Sequence, residues 1–424
     1  MKVEYAEETS VRKSLAFEIE AEVVDREIAA RAQHYARRVK MPGFRPGKIP
    51  AEVIRQRFRQ QVLEDVAEKL VNQVVHEELE GRGLRPLATP RVTDLKIDEG
   101  QPLTFRAVFE TLPFVELPEY KGLEVKARRA EVEEQDVERE VARLREEAAR
   151  FDPVEGRPAE KGDYAVLDLI RRAPGEKPQH DENVVVEVGA AENHDDFNAA
   201  LVGMGPGETR DVHLAHASDP PSKGPAGPAR DYTITLKAVK TRVLPALDDE
   251  FAKDLGEWDS LAALRETVRQ RLREAAERKA DREVKNALVG SLVEKAAFEV
   301  PEALVERHMS ARTESAARGL AYQGVDPTKV GMDWKKYRED QRDDSVKAAK
   351  ADILLDEIAR REGLEASESD VDAELGRFAE SMKKSKESVR ARMEKDGDLQ
   401  ALKARIREEK TLDLLKANAR LSDE

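Results

Sequence analysis

The chain has 424 residues, with 73 Lys and Arg against 87 Asp and Glu, a formal net charge of −14. It is 38% charged and 40% hydrophobic and contains no cysteine, which excludes a disulfide scaffold, a thiol nucleophile and a cysteine-ligated zinc site. No apolar run approaches the ~18 residues of a membrane span, and the acidic start MKVEYAEETS is unlike a signal peptide, so a cytoplasmic protein of about three domains without membrane contact is expected.

Proline divides the chain. Residues 1–112 hold six prolines, 113–245 hold twelve, and 246–424 hold only Pro301 and Pro327. Proline is excluded from helix interiors, so the last third is free to be almost entirely helical. In the first third, Lys13, Leu15, Phe17, Ile19 and Ala21 alternate with polar or small residues as a strand does. Asp25 is the expected N-cap of a helix running to about Lys40, ended by Met41-Pro42-Gly43. A second helix is expected to start at Pro50 and run to about Gly81; Leu103, Phe105, Ala107 and Phe109 then alternate as a strand.

Residues 113–149 read as a linker arm with a charged helical run near its end. Strand-like pieces follow at Tyr164–Ile170, Val184–Val188 and Tyr232–Val239, with a short helix near Phe197–Leu201 and a Pro/Gly-rich loop from Asp219 to Arg230. In the final third, Leu261, Leu264, Val268 and Leu272 form one helical stripe. Val284, Leu288 and Leu292 form another, with weaker ones at Leu402–Ile406 and Leu412–Leu415.

Residues 31–60 carry nine bases (Arg31, Arg37, Arg38, Lys40, Arg45, Lys48, Arg55, Arg57, Arg59) and one acid, Glu52. A local +8 in an acidic chain is an electrostatic footprint for a polyanion such as RNA; the alternative is a solvated helix–helix turn. At its centre lies Gly43-Phe44-Arg45-Pro46-Gly47-Lys48-Ile49-Pro50, a stiff turn carrying an apolar residue beside cations. Arginine forks onto carboxylate or phosphate, whereas lysine acts as a point charge.

This octapeptide resembles the ribosome-docking signature of the bacterial trigger factors. Further along, Leu244-Pro245-Ala246-Leu247, Glu250-Phe251 and Leu264-Arg265 are similar to the family's entry into its helical domain, and Val300-Pro301-Glu302-Ala303-Leu304 to a later helix start. The resemblance implies a multidomain α+β protein: a mixed α/β ribosome-binding domain at 1–112, a linker arm at 113–149, a small FKBP-like β domain at 150–243, and an all-α substrate-binding domain at 244–424. It further implies an ATP-independent chaperone that docks at the ribosomal exit through Gly43, Phe44, Arg45, Pro46, Gly47 and Lys48. There it would meet ribosomal protein and RNA and hold nascent or unfolded chains open for folding or export. Pro46 stands where the family often has a basic residue, which removes one charge contact. The resemblance also allows a homodimer away from the ribosome, and implies that helical arms leave some apolar residues exposed; Met309, Leu320 and Tyr322 are candidates.

For the middle domain the resemblance implies prolyl isomerisation, which needs an apolar pocket that favours the twisted amide and no nucleophile. Leu169, Phe197 and Tyr232 are the candidate pocket residues. Only three aromatics occur between 161 and 243 (Tyr164, Phe197, Tyr232), Arg171–Asn183 contains none, and Asp219-Pro220-Pro221-Ser222 occupies the loop expected to supply a tyrosine. Two readings compete: an active isomerase, and a retained β domain with weak or lost catalysis. An RNA-binding adaptor using residues 31–60 is a third reading. His180, His194, His213 and His216, with Asp195 and Asp196, form either surface histidines or a metal site, and no phosphate loop or cofactor motif is present, so no cofactor is expected.

Overall fold

The computed structural model describes residues 1–39, 41–42, 44, 49–127, 131–172, 177–214, 229–256 and 258–423. The chain forms two compact units, one built from residues 1–128 together with 281–424, the other from 129–280.

The first unit opens with β1 (Lys2–Glu7) and β2 (Arg12–Ile19), then α1 (Ala21–Arg38), α2 (Ala51–Arg57) and α3 (Arg59–Gly81), then β3 (Arg91–Lys96) and β4 (Leu103–Glu110). The strands make an antiparallel sheet in the order β1-β2-β4-β3. Alternation along β2 and β4 sets Leu15, Phe17 and Ile19 opposite Ala107, Phe105 and Leu103. The Phe17 and Phe105 rings stack with centroids 4.7 Å apart. Val24, Ile28 and Ala32 of α1 and Val62, Val66 and Leu70 of α3 close the same core at helical spacing.

Three local expectations are corrected here. Asp25 does not cap α1: β2 ends at Ile19, Glu20 occupies the N-cap position, and the Asp25 carboxylate instead accepts the Gly100 N–H at 2.9 Å. The helix from Pro50 is not continuous. Pro50 sits at the N-cap rather than inside the first turn, and the backbone breaks at Phe58 (φ −120°, ψ 26°), whose side chain packs on the core. Finally, β1 and β3 were not expected as strands. They are the two edges of the sheet: β1 turns only Val3 and Tyr5 partly onto the core, and β3 leaves Val92 and Leu95 exposed.

Residues 113–127, read as the start of a linker arm, bury Val115, Tyr120, Leu123 and Val125 in a second core of this unit and end in β5 (Glu124–Ala127).

The second unit contains α4 (Glu134–Glu147), β6 (Arg150–Val154), β7 (Tyr164–Arg172), β8 (Gln179–Glu187), α5 (Asp195–Leu201), β9 (Thr209–Leu214), β10 (Arg230–Val243) and α6 (Asp249–Asp254). The long β10 organises the sheet. Along one edge its first half pairs with β9 and its second half with β6, while β7, paired to β8, lies along the other. A separate small core joins Val137 and Val141 of α4 to Phe251 and Ala252 of α6 and to Leu264 and Val268 of α7 (Leu261–Lys295). The Asp248 carboxylate caps α6 by accepting the Glu250 and Phe251 N–H groups at 3.1 and 3.0 Å. The two apolar stripes expected in this region thus belong to one helix; its residues 273–280 bury nothing fully.

The rest of the first unit is α8 (Glu302–Tyr322), α9 (Trp334–Asp340), α10 (Arg342–Glu362), α11 (Glu368–Met382), α12 (Lys386–Asp396), α13 (Asp398–Ala417) and β11 (Arg420–Asp423). The helical stripe Val284, Leu288 and Leu292 meets Leu304 and Val305 of α8, Ile353 and Ile358 of α10 and Leu415 of α13 around the 113–127 segment. Met309 belongs to this core, 5% exposed, and so does not form part of an exposed binding face. The one strand among these helices, β11, pairs in parallel with β5, Leu421 facing Val125. A smaller cluster of Val371, Leu375, Val389 and Leu402 holds α11, α12 and α13 together. Glu110 at the end of β4 accepts the Ala303 N–H at 2.8 Å and so supports the start of α8. Among the described residues no helix is long and apolar enough to cross a membrane.

Among the described residues of this unit one cation, Lys285, is buried. Lys285 of α7 contacts Asp281 at 3.1 Å, Asp413 at 2.7 Å and Glu409. Burial works against its charge, but hydrogen bonds to Asp413, Glu409 and Asp281 outweigh that and hold the amine above the ordinary lysine range. Lys285→Ala leaves these carboxylates facing one another between α7 and α13. It should lower stability by about 2 kcal/mol, less than for fully buried partners because Glu409 and Asp413 reach solvent. The urea midpoint of the full chain by circular dichroism measures this; an unchanged midpoint would show that the cluster contributes nothing net.

Candidate functional site

The segment between α1 and α2 is pinned at both ends by apolar side chains. Met41 and Ile49 are buried in the first core, whereas Phe44 between them is 38% exposed. The Phe44 N–H donates to the Met41 carbonyl at 3.2 Å. Gly43, Arg45, Pro46, Gly47 and Lys48 lie outside the described residues, as does Lys40.

The nine bases around this segment are not equivalent. Arg31 is held by Asp65 of α3 at 2.7 Å, and Arg59 pairs with Asp98. Both acids lie beyond residue 60, so composition over 31–60 overstates the free charge. Arg37 and Arg38, in the last turn of α1, and Arg57 of α2 are exposed and make no ion pair among the described residues; Arg55 is half-buried. Tyr35 lies one turn from Arg31 and donates its hydroxyl to the same Asp65 Oδ2 at 2.7 Å. That hydrogen bond raises the tyrosine's pKa and, with Arg31, keeps the Asp65 carboxyl below its ordinary value. The clamp fixes the end of α1, and with it the direction in which the exposed bases project.

In the second unit, Leu169 comes from β7, Phe197 from α5 and Tyr232 from β10. The fold brings all three into one apolar cluster. Phe197 and Tyr232 meet edge to face, centroids 6.3 Å apart. All three are enclosed: Leu169 is 4% exposed, Phe197 and Tyr232 0%. The Tyr232 hydroxyl is buried and has no hydrogen-bond partner among the described residues. A shallow cleft nearby is lined by Lys161, Ala191, Asp195 and Val202 and includes none of the three. The Asp219-Pro220-Pro221-Ser222 stretch lies outside the described residues.

The histidines serve separate local roles. His194 Nδ1 accepts the Asp196 N–H at 3.3 Å as the cap of α5, His213 Nδ1 lies 2.6 Å from Asp231 Oδ1, and His180 is exposed on β8. His216 is outside the described residues.

Sequence reading did not find the grooves of the first unit. One, of about 730 Å³, lies where α8, α10 and α13 meet residues 87 and 112–115. Leu87, Leu112, Val115, Leu304, Ile353 and Leu355 supply its apolar lining. Leu112 is 53% exposed, and Phe114, two residues on, is 87% exposed. Most of the acids along the groove are already matched: Asp352 to His308 at 2.9 Å, Asp356 to Arg407, and Glu357 to Arg360 at 2.6 Å. A second groove, of about 710 Å³, runs between α3 and β3 over Leu63, Val71, Val92 and Leu95. Leu112 and Phe114, two large apolar residues flanking a proline, were the one signal in the sequence. Of the candidate exposed residues, Tyr322 is 93% exposed at the end of α8, and Leu320 is partly buried.

A buried hydroxyl without a partner costs stability. Tyr232→Phe should therefore raise the stability of the second unit by about 1 kcal/mol, read as a higher thermal midpoint of the full chain. A drop of that size would mean that the hydroxyl is hydrogen-bonded in solution.

Two family profiles match the chain. "Bacterial trigger factor protein (TF)" covers residues 1–144, and "Bacterial trigger factor protein (TF) C-terminus" covers residues 260–417. The trigger factor of Solibacter usitatus is 35% identical over 97% of this chain and 98% of its own length. That of Koribacter versatilis is 34% identical over 95% and 93%. A solved structure from a study of "Promiscuous Substrate Recognition in Folding and Assembly Activities of the Trigger Factor Chaperone" shares the fold. It has a TM-score of 0.50 and 22% identity over 98% of this chain and 99% of that one. Relatives of this identity along nearly the whole length, together with profiles at both ends, establish that the chain belongs to the trigger factor family of chaperones.

Proposed function

We propose that the protein is an ATP-independent chaperone that docks on the ribosome through the segment between α1 and α2 and shelters apolar stretches of nascent chains in the groove of its helical unit. The groove of about 730 Å³ carries this reading: an open trough in which Leu87, Leu112, Val115, Leu304, Ile353 and Leu355 lie among charged side chains, with the exposed Phe114 close in sequence. Further large apolar side chains are exposed at Tyr322, Val325 and Met332. Scattered small patches favour weak, reversible binding to many sequences over tight binding to one. Docking raises the local concentration of client, so such contacts suffice without nucleotide.

Support for docking comes from the half-exposed Phe44 between the buried Met41 and Ile49, and from Arg37, Arg38 and Arg57, which are exposed and make no ion pair among the described residues. Replacing Phe44, Arg45 and Pro46 by alanine should abolish co-sedimentation with ribosomes while leaving the circular dichroism unchanged. Binding of the unmodified protein should weaken with salt. Full pelleting of the folded variant would sink the docking assignment, and free RNA competing as well as ribosomes would favour an RNA-binding adaptor instead.

For the second unit we propose a retained FKBP-like domain with weak or lost isomerase activity. Its support is that Leu169, Phe197 and Tyr232 are enclosed in the domain core, where a prolyl peptide would have to displace them. Isomerisation of a short X–Pro peptide by the full-length protein should run at the uncatalysed rate. The same preparation should still suppress aggregation of a denatured client. A clear rate above background would restore the enzyme reading.

A further inference from the structure

Helix α8 begins without a cap of its own. Its N-cap residue is Pro301, which has no side-chain acceptor, so an acceptor for the first-turn N–H groups has to come from elsewhere. Glu110 supplies one: the carboxylate at the end of β4 accepts the Ala303 N–H at 2.8 Å, from 193 residues away in the chain. The backbone carbonyl of the same residue accepts the Leu87 N–H at 2.9 Å. Directly after it, the Thr111 N–H donates to the Val11 carbonyl at 2.9 Å, and Thr111, Pro113 and Val115 are buried while Leu112 and Phe114 are exposed. Leu87, Leu112, Val115 and Leu304 all line the groove between α8, α10 and α13. Glu110 thus ties residue 87 and the start of α8 to the strand that leads into 112–115. A second contact across this junction, Ser10 Oγ to Glu299 Oε2 at 3.0 Å, involves no residue that lines the groove.

We infer that Glu110 is a positioning residue for this groove: by holding residue 87 and the start of α8 against the end of β4, it keeps Leu87, Leu112 and Leu304 in the arrangement that a client segment meets. The inference deepens the proposed role of the groove in sheltering unfolded chains, and rests on it. Its physical basis is preorganisation. A wall built from three segments far apart in sequence binds only when all three are in place, and apparent affinity falls with the fraction of molecules in which they are not. The other side of the groove has its own support, since α10 and α13 pack on α8 through Ile353, Ile358 and Leu415 of the helical core. By contrast Leu87 is only partly buried and Leu112 is 53% exposed, so packing holds them less firmly. The same contact joins the half of the unit that carries the docking segment to the half that carries the groove.

The test uses the full chain and a capped peptide of Leu, Phe and Ser carrying a terminal fluorophore, with binding read by fluorescence anisotropy. Glu110→Ala should weaken the peptide by up to about fivefold, the equilibrium equivalent of one lost helix cap, while co-sedimentation with ribosomes is unchanged. Glu110→Gln, whose amide oxygen still accepts, should recover most of that loss. Asp248→Ala removes the cap of α6 in the other unit and should leave peptide affinity as it was, which separates positioning from general destabilisation. Ser10→Ala cuts the other contact across the junction and should also leave affinity unchanged. Because the chain has no cysteine, a nitroxide on Phe114→Cys reports the 112–115 segment alone. Its spectrum should show faster motion when Glu110→Ala is added and the same motion when Asp248→Ala is added. Unaltered affinity and label motion in a folded Glu110→Ala, a Glu110→Gln as weak as the alanine variant, or an equal loss in Ser10→Ala would each refute the positioning role. Ala404→Trp, which fills the groove, should remove binding. Binding that survives it would overturn the groove as a client site, whereas binding lost there but undiminished in Glu110→Ala would overturn the role of Glu110 alone.

Discussion

Apolar side chains are too few in this chain to cover every helix on more than one side, and the architecture follows from that constraint. With charged residues nearly as abundant as hydrophobic ones, burial is divided among five separate clusters, most of them closed by one stripe per helix. The remaining faces are covered with charges, many paired three or four residues apart, as in Arg143 with Glu140 and Glu147. Such exposed pairs add little stability each. Among the described residues Phe114 and Tyr322 are the most exposed of the large apolar side chains, which gives them their weight.

Much of the fold could be read from the sequence where one face is buried and the other is not. Leu103, Phe105, Ala107 and Phe109 announced β4 because the odd positions all enter the core. The helical stripes at Leu264–Val268 and Val284–Leu292 were visible for the same reason. The edge strands were not read, since β1 turns only Val3 and Tyr5 partly onto the core and β3 buries no residue fully. Nor was the break at Phe58, which no glycine or proline marks. The start of α1 was misjudged because a good capping residue, Asp25, lay within a helix whose start was set by the end of β2.

The candidate sites show a different limit. Residue type identified Phe197 and Tyr232 as apolar and close to the right elements, but a pocket wall and a domain core demand the same residue types. Met309 illustrates the same ambiguity in the helical region. Conversely, the basic window at 31–60 looked stronger in sequence than in three dimensions, because Asp65 and Asp98 neutralise two of its arginines from outside the window.

The parallel pairing of β5 with β11 joins Glu124 to Arg420, across almost three hundred residues. A ribosome makes the chain from one end, so Val115, Tyr120, Leu123 and Val125 emerge long before the helices and the strand that enclose them. During that interval these side chains have no permanent shelter. The β2–β4 sheet, with α1 and α3, is complete by residue 110 and can form at once. Synthesis order therefore separates the two halves of the first unit in time: its N-terminal core is assembled early, while its helical core waits for α13 and β11. A protein of this architecture is itself, for most of its own synthesis, an incompletely folded chain with exposed apolar residues.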